Sequence, residues 1–495
     1  MQKLNQNEKH AYKTLVSCCK KERKGITVAG ITAKTALPLE KVRELLPVCA
    51  DEFGARLKVT ESGEILYSFP KGFSSRYNGV RAVFGRFFDK SLDIIKTVLM
   101  NLFKVWILVM LVGYFVLFLL IALAALTLSV VAQSQSKNND RRDSGGGFIV
   151  VTHILDLFIR IWFYSELTKS FDRRYGTVER KPKGRPLYKA VFSFVFGDGD
   201  PNAGIEQREA KAALAYIQAA GGVISLPEYM ILTGKSPSEA EADITGFCAA
   251  YGGSPEATED GAVVYRFENL LLDTKLSASK TLYNGPLRRL RAFSSNEKKF
   301  NFWFSVLNGV NLLFGGYFLF NALSMGVITN IKTALQEAYL YSFVYHILEQ
   351  LFKIQPLPVL FWGLGFVPLA FSVFFWGIPL IRKLLLDGKN QKLKFANLRQ
   401  AAFDIVWRSP RNVKAESLRT AGVESNPAPL EKAQDRLIKE LGAYTNVEVT
   451  AGDNGEFYYS FDGLEHEKQS LERYRKQILN SGNTLGGVVF DTDNA

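Results

Sequence analysis

Residues 105–132, VWILVMLVGYFVLFLLIALAALTLSVVA, contain no charged side chain. As a helix rising about 1.5 Å per residue, this run is longer than the roughly 30 Å thickness of a bilayer core. It reads as a membrane-spanning helix within residues 92–133, and it assigns the chain to the α-helical integral membrane proteins. Two later runs, 300–331 and 354–381, are also free of charge and are expected to form a transmembrane hairpin over residues 300–381. The N-terminal MQKLNQNEKHAYKTL has no apolar stretch after its charges. No cleavable signal peptide is therefore expected, and residues 105–132 act as the insertion signal.

At 495 residues, with 47% hydrophobic and 13% aromatic side chains, the chain has material for about three or four domains, cores as well as spans. Cys18, Cys19, Cys49 and Cys248 lie outside the uncharged runs and none has CxxC spacing. Buried thiols in a reducing compartment are expected, rather than disulfides or a zinc site.

The net charge of +13 is concentrated in a few segments. Residues 71–104 have seven Lys/Arg against two acids, 165–204 eight against five, 271–299 seven against two and 382–394 five against one. The remainder of the chain is net acidic. The excess sits where the chain meets the membrane, which fits cytoplasmic retention and anionic lipid headgroups better than nucleic acid.

Outside the spans, one pattern recurs. In residues 1–72 a helix over 7–20 is followed by an extended piece at Ile26, two helical stretches, and the strands RLKVT and EILYSF around a turn at Glu61-Ser62-Gly63. Helix, short strand, two helices and a hairpin is the order of a winged helix. Residues 224–267 match residues 26–69 without a gap, inside a second module at 205–270. A third copy is read at 395–464, with helices over about 395–408, near 413–421 and from Pro429. Its hairpin ends in GEFYYSF at Phe461. The signature residues are Gly63, Tyr67 and Phe69, then Gly261, Tyr265 and Phe267, then Gly455, Tyr459 and Phe461. Glycine supplies the turn's positive φ and the alternating aromatics supply the hairpin's buried face. The chain is thus expected to be an α-helical membrane protein with three small α+β winged-helix-like modules. A helix and a flexible tail close it over 465–495.

Residues 134–147, in which SQSKNNDRRDSGGG is polar and glycine-rich, read as a connector. Residues 148–166 form a second membrane segment, spanning or interfacial. Its Thr152, Asp156 and Arg160 are four apart, a narrow polar stripe on an apolar helix, with His153 beside it. Asp156 and Arg160 could pair one turn apart within a bundle, although each charge costs about 2.5–3.5 kcal/mol at the bilayer centre. Basic residues flank the 300–381 hairpin on both outer sides, whereas its internal loop has only Lys332 and Lys353 and an amphipathic, tyrosine-rich stretch over 333–352. Both ends of the hairpin are therefore expected inside, with 333–352 an interfacial helix. The flank at 76–104 is inside too, so an even number of crossings must separate it from residue 299. Residues 148–164 supply the second crossing most simply; a hairpin folded within 92–133 is the alternative. The expected location is the cell inner membrane, multi-pass, with modules and termini cytoplasmic.

Residues 167–204 form a basic linker that ends in VFSFVFGDGDPN at 191–202. Together with YSFPK at 67–71 and IPLIRK at 378–383, this motif resembles a family of uncharacterised membrane proteins of bacteria, cyanobacteria and plant chloroplasts. The resemblance covers roughly residues 60–400. Some plant members are labelled iron–sulfur biogenesis proteins, a label associated with an added cysteine-bearing domain. This chain has no cysteine cluster, so that function does not carry over.

The sequence after Phe196 also resembles a calcium loop. Asp198, Asp200, Asn202 and Glu209 fall at positions 1, 3, 5 and 12, with Ile205 at position 8. Ala203, however, stands where the loop's sharp turn needs glycine, and Pro201 stiffens position 4. The competing reading is a turn in which Asp and Asn bond backbone amides and Glu206 favours the next helix's N-terminus. His10, His153, His346 and His466 are far apart and form no HExxH pattern, and neither GxxxxGK[ST] nor GxSxG occurs. No catalytic residue and no cofactor is assigned.

Two main function classes remain. One is a membrane-anchored scaffold or assembly factor whose modules contact proteins or each other. The other is a membrane-tethered DNA-binding regulator working through residues 1–72; a transporter subunit is a weaker third. The lipid bilayer and unidentified protein partners, or self-association, are the expected contacts. DNA is disfavoured because residues 205–270 have four Lys/Arg against ten acids and 395–464 have eight against ten. Only the first module is basic, with twelve against eight over residues 1–70.

Overall fold

A computed structural model of the chain describes residues 6–70, 73, 76, 80–135, 186–271, 285–327, 338–420, 430–452, 456–480 and 488–491. Over these described residues the fold is mostly helical, with three small three-stranded sheets. The chain divides into two compact units. One comprises residues 87–199 and 291–388, and the other residues 1–86, 200–290 and 389–495. The expected second membrane segment at 148–166, with Asp156 and Arg160, lies outside the described residues, as do Gly455 and residues 167–185 of the linker.

Among the described residues of the first unit, three helices are long and apolar enough to cross a membrane: Ile94–Thr127, Lys298–Met325 and Pro356–Arg408. They are parts or all of helices α4 (Val80–Gln135), α9 (Lys298–Val327) and α11 (Pro356–Arg408). Helix α4 extends beyond both ends of the predicted 92–133 because no proline interrupts residues 80–135. Glycines set the α9–α11 contact. A Cβ on Gly315 would lie 2.9 Å from the Leu369 nitrogen, and one on Gly365 would lie 2.9 Å from the Leu319 Cα. This is the close approach that small residues permit between helices in lipid. The first turns of α11 are wound as π-helix over Val359–Phe366. Of the asparagines in α9, Asn308 donates to the Ser372 carbonyl at 3.0 Å and Asn311 to the Leu111 carbonyl at 2.9 Å, so both join helices. Asn321 donates to the Tyr317 carbonyl of its own helix at 2.8 Å. Within the stretch expected as an interfacial helix, residues 339–346 form α10 (Tyr339–His346), and a π turn follows over Ile347–Leu351. A short apolar helix, α5 (Leu187–Phe196), buries Ala190, Val191, Phe194 and Val195 among Ile107, Phe304 and Phe375.

The second unit contains the three sequence-matched segments. The first consists of α1 (Gln6–Glu22), α2 (Val28–Thr35), α3 (Leu39–Phe53), β1 (Arg56–Thr60) and β2 (Ile65–Ser68). Its core holds Leu15, Cys19, Ile31, Val42, Leu46 and Cys49, each apolar group contributing about 1.5–3 kcal/mol on full burial. The second consists of α6 (Ile205–Ala219), β3 (Val223–Ser225), α7 (Leu226–Thr233), α8 (Pro237–Tyr251), β4 (Ser254–Ala257) and β5 (Val263–Arg266). The third takes the end of α11, then β6 (Val413–Lys414), α12 (Ala415–Thr420), α13 (Leu430–Tyr444), β7 (Glu448–Ala451) and β8 (Phe457–Ser460). Residues 413–414, expected to begin a helix, are a short strand because their backbone pairs with Tyr459 and Tyr458.

Local chemistry explains these boundaries. Thr27 and Ser225 cap α2 and α7 with their hydroxyls, and Ser225 forms a reciprocal capping box with Glu228. Gly54 and Gly252 end α3 and α8 in the left-handed conformation. The second and third segments share one core, in which Phe247, Phe267, Trp407, Leu441 and Phe461 are buried. Helix α8 contacts both α3 and α13. The Tyr251 hydroxyl donates to the Ala36 carbonyl at 3.0 Å, while Arg399 reaches Glu440 of α13 at 2.8 Å and Glu239 of α8 at 3.5 Å. Helix α14 (Asp462–Asn480) locks onto the second segment. Arg475 donates both Nη atoms to the buried Glu228 carboxylate and Nη2 also to the Val223 carbonyl. The tail, expected to be flexible, contains a strand, β9 (Val488–Asp491), paired antiparallel with β1.

Candidate functional site: the FGDGDPN turn

Pro186 starts α5 and Gly197 ends it at φ +83°. The last carbonyls of such a helix lack intrahelical partners and carry partial negative charge. Arg382 supplies both needs. Its Nη1 donates to the Phe194 carbonyl at 3.0 Å and the Val195 carbonyl at 2.8 Å, and its Nη2 to the Phe293 carbonyl at 2.7 Å. Its guanidinium also lies over the Phe293 ring, 5.1 Å from the centroid. Two of the sequence landmarks, VFSFVFGDGDPN and IPLIRK, therefore meet through one side chain.

Asp198 completes this staple within the unit of apolar helices. Its Oδ2 accepts from the Ser193 hydroxyl at 2.7 Å, the Ser295 amide at 2.7 Å and the Ser295 hydroxyl at 2.6 Å. Asn296 donates to the Ala190 carbonyl at 2.7 Å. The segment preceding α9 is thereby tied to α5 by charge-assisted bonds, which are stronger than neutral ones.

The following residues do parallel work in the other unit. Asp200 accepts the Asn202 amide at 3.0 Å in an Asx turn. The Asn202 side chain then pairs with the main chain of Arg289, donating to its carbonyl and accepting from its amide, both at 2.8 Å. Asn397 treats the Arg288 main chain in the same way, with both bonds at 2.8 Å. Glu209, 3% exposed, faces the Arg288 guanidinium at 2.7 Å. Burial raises the Glu209 carboxyl above the usual range and Arg288 opposes that rise.

The four calcium-loop candidates are thus engaged by protein groups: Asp198 by serines, Asp200 and Asn202 by backbone, and Glu209 by arginine. Among the described residues no group of three or more His, Cys, Asp or Glu side chains is placed to hold a metal ion. The competing turn reading describes Asp200 and Asn202, and it missed the reach of Asn202 to Arg289. Arg382 and Asn397 were also missed. In sequence Arg382 counts only as a basic flank, and the one available signal was its place inside a landmark motif.

The hairpin signature residues occupy matching positions. Gly63 and Gly261 have φ +79° and +81°, and each donates its amide to a threonine carbonyl, Thr60 or Thr258, at 2.9 Å. Tyr67, Phe69, Phe267 and Phe461 are buried; Tyr265 and Tyr459 are half-buried. The amides of Phe69, Phe267 and Phe461 donate to the carbonyls of Arg23, Gly222 and Pro410 at 2.7, 2.8 and 2.9 Å. Ile26 and Ile224 each pair with the signature tyrosine of their own segment.

No family model matches the chain, and no solved structure matches it significantly. An uncharacterized chloroplastic protein of Arabidopsis thaliana is 26% identical over 402 residues, which cover 78% of this chain and 70% of that protein. The chain is therefore similar, over most of its length, to a plastid protein of a plant.

Proposed function

We propose that this protein is a membrane-anchored scaffold or assembly factor, multi-pass in the inner membrane, whose winged-helix-like modules lie on the cytoplasmic side and contact proteins. The recurring hairpin bonds and the matching caps of α2 with α7 and α3 with α8 support the winged-helix and repeat reading. The basic flanks of the apolar helices support the orientation. The motif-bearing turn reads as structural, a staple for segments next to the apolar helices, and no catalytic role is assigned.

One observation carries the choice of proteins over DNA. In a helix-turn-helix reader the second paired helix enters the major groove, where Lys and Arg meet phosphates. Here that helix is α8 in the second module. It holds Glu239, Glu241 and Asp243 with no basic residue, and it packs against its counterparts α3 and α13. Packing of this helix against its counterparts supports a protein-contact role for it.

The test is binding of the full chain in detergent to duplex DNA across a salt series, with photocrosslinking in cells from the exposed α8 positions Glu241 and Thr245. The expected result is no micromolar DNA binding near physiological salt and a recurrent protein adduct. Micromolar, salt-dependent DNA binding with no protein adduct would promote the tethered regulator instead.

A further inference from the structure

The three small sheets differ at one edge. Two have the orders β3-β5-β4 and β6-β8-β7, so the first hairpin strand, β4 or β7, is outermost. The third is ordered β2-β1-β9, with β1 covered by the C-terminal strand. The register places Lys58 opposite Asp491, Val59 opposite Phe490 and Thr60 opposite Val488, with a shift between Val59 and Thr60.

Strand β9 is held in an unusual way. Val489 is 69% exposed and Phe490 50% exposed, so side-chain burial contributes little to its docking. Main-chain pairing holds it, in a register that sets Lys58 opposite Asp491, residues of opposite charge. An uncovered strand edge presents unpaired N–H and C=O groups that recruit other extended chains. Covering such an edge with a four-residue strand whose Val489 and Phe490 are exposed protects it while leaving the cover easy to exchange. Residues 481–487, SGNTLGG, connect this strand to α14 and include three glycines and no proline.

We propose that the outer edge of β1 is an acceptor site for an extended peptide carrying β-branched or aromatic residues followed by an acidic one, and that β9 is its resident, displaceable occupant. Main-chain pairing supplies affinity in such strand addition, and Lys58 supplies preference for the acid. This gives the protein-contact reading above one concrete edge. The experiment below probes that edge alone, so its failure leaves the broader reading standing.

The probe is a fluorescent peptide, GGVVFDTDN, taken from residues 486–494. Its binding is measured by anisotropy to the detergent-solubilised full chain and to a chain ending at Asn480. The expected result is saturable binding to the shortened chain and at least tenfold weaker binding to the full chain. A peptide bearing Asp491→Lys should lose at least tenfold on the shortened chain and regain it on a Lys58→Glu variant whose melting temperature matches the parent. Equal binding to both chains, no binding to either, or failure of the charge swap would overturn the proposal. A full-length dimer that disappears on truncation would place the strand in a second copy and overturn the intrachain occupant.

Discussion

A methyl group on Gly197 would lie 2.5 Å from Nη2 of Arg382, so the glycine that ends α5 and the arginine that caps it require each other. The requirement is doubled by the backbone, since Gly197 sits at φ +83°, where other residues are strained. Gly197→Ala should destabilise the detergent-solubilised protein by about 1–3 kcal/mol. Arg382→Lys should cost a comparable amount, because an ammonium cannot serve three carbonyls from a planar fork. Thermal unfolding of both variants and of the double variant checks this; full additivity of the two losses would contradict a shared contact.

The buried pair Arg475 and Glu228 offers a sharper cycle. Glu228 is 2% exposed, and both Arg475 Nη atoms reach it, at 2.9 and 2.7 Å. Removing one partner strands the other, so Arg475→Met alone should cost about 3–5 kcal/mol. Adding Glu228→Gln should recover much of that loss. Chemical denaturation of the four combinations reads the coupling, and a double variant worse than Arg475→Met would count against it.

Stability should fall as pH rises through the range set by Glu467. Burial pushes its carboxyl from 4.5 up to about 7, despite the hydrogen bond from the Tyr444 hydroxyl at 2.9 Å. Between these values the folded chain retains a proton that the unfolded chain has released. The contribution is fully present below the unfolded value, is lost as pH rises through about 7, and is constant above that. Glu467→Gln should flatten that part of the pH–stability profile and raise stability at pH 8 by an amount on the order of 1–3 kcal/mol. An unchanged slope in the variant would refute the assignment.

In the apolar unit, Gly365→Leu should be more damaging than Gly363→Leu. The first Cβ would meet the Leu319 backbone at 2.9 Å, whereas the second meets only the Val359 side chain at 3.8 Å. Proteolytic sensitivity in lipid nanodiscs distinguishes them. Equal tolerance would mean that the α9–α11 approach is wider than described.

The readable parts of this chain were those written in local chemistry. The three apolar helices follow from composition alone, and the hairpin turns follow from glycine at Gly63 and Gly261. Helix α7 is announced by Ser225 and Glu228 three residues apart. What stayed hidden was decided by distant partners. Arg382 counts as a flank charge until one knows that the carbonyls of Phe194 and Val195 end nearby. Strand β9 has only four residues, and nothing in Val488–Asp491 says that β1 has a vacant edge. Nor does the sequence show that Glu209 faces Arg288, which is far away along the chain.

The π-helical turns at Val359–Phe366 make α11 a matter of phase. A residue in an α-helix advances about 100° around the axis, and a π segment holds extra residue in the winding. Deleting one residue there, while keeping the helix, would rotate everything beyond it by about that angle. Ser372 would then turn from Asn308, and Arg382 from the end of α5. The insertion works as a vernier: it sets the angular position at which a polar contact in the apolar interior and the arginine cap twenty residues from Trp362 both meet their partners.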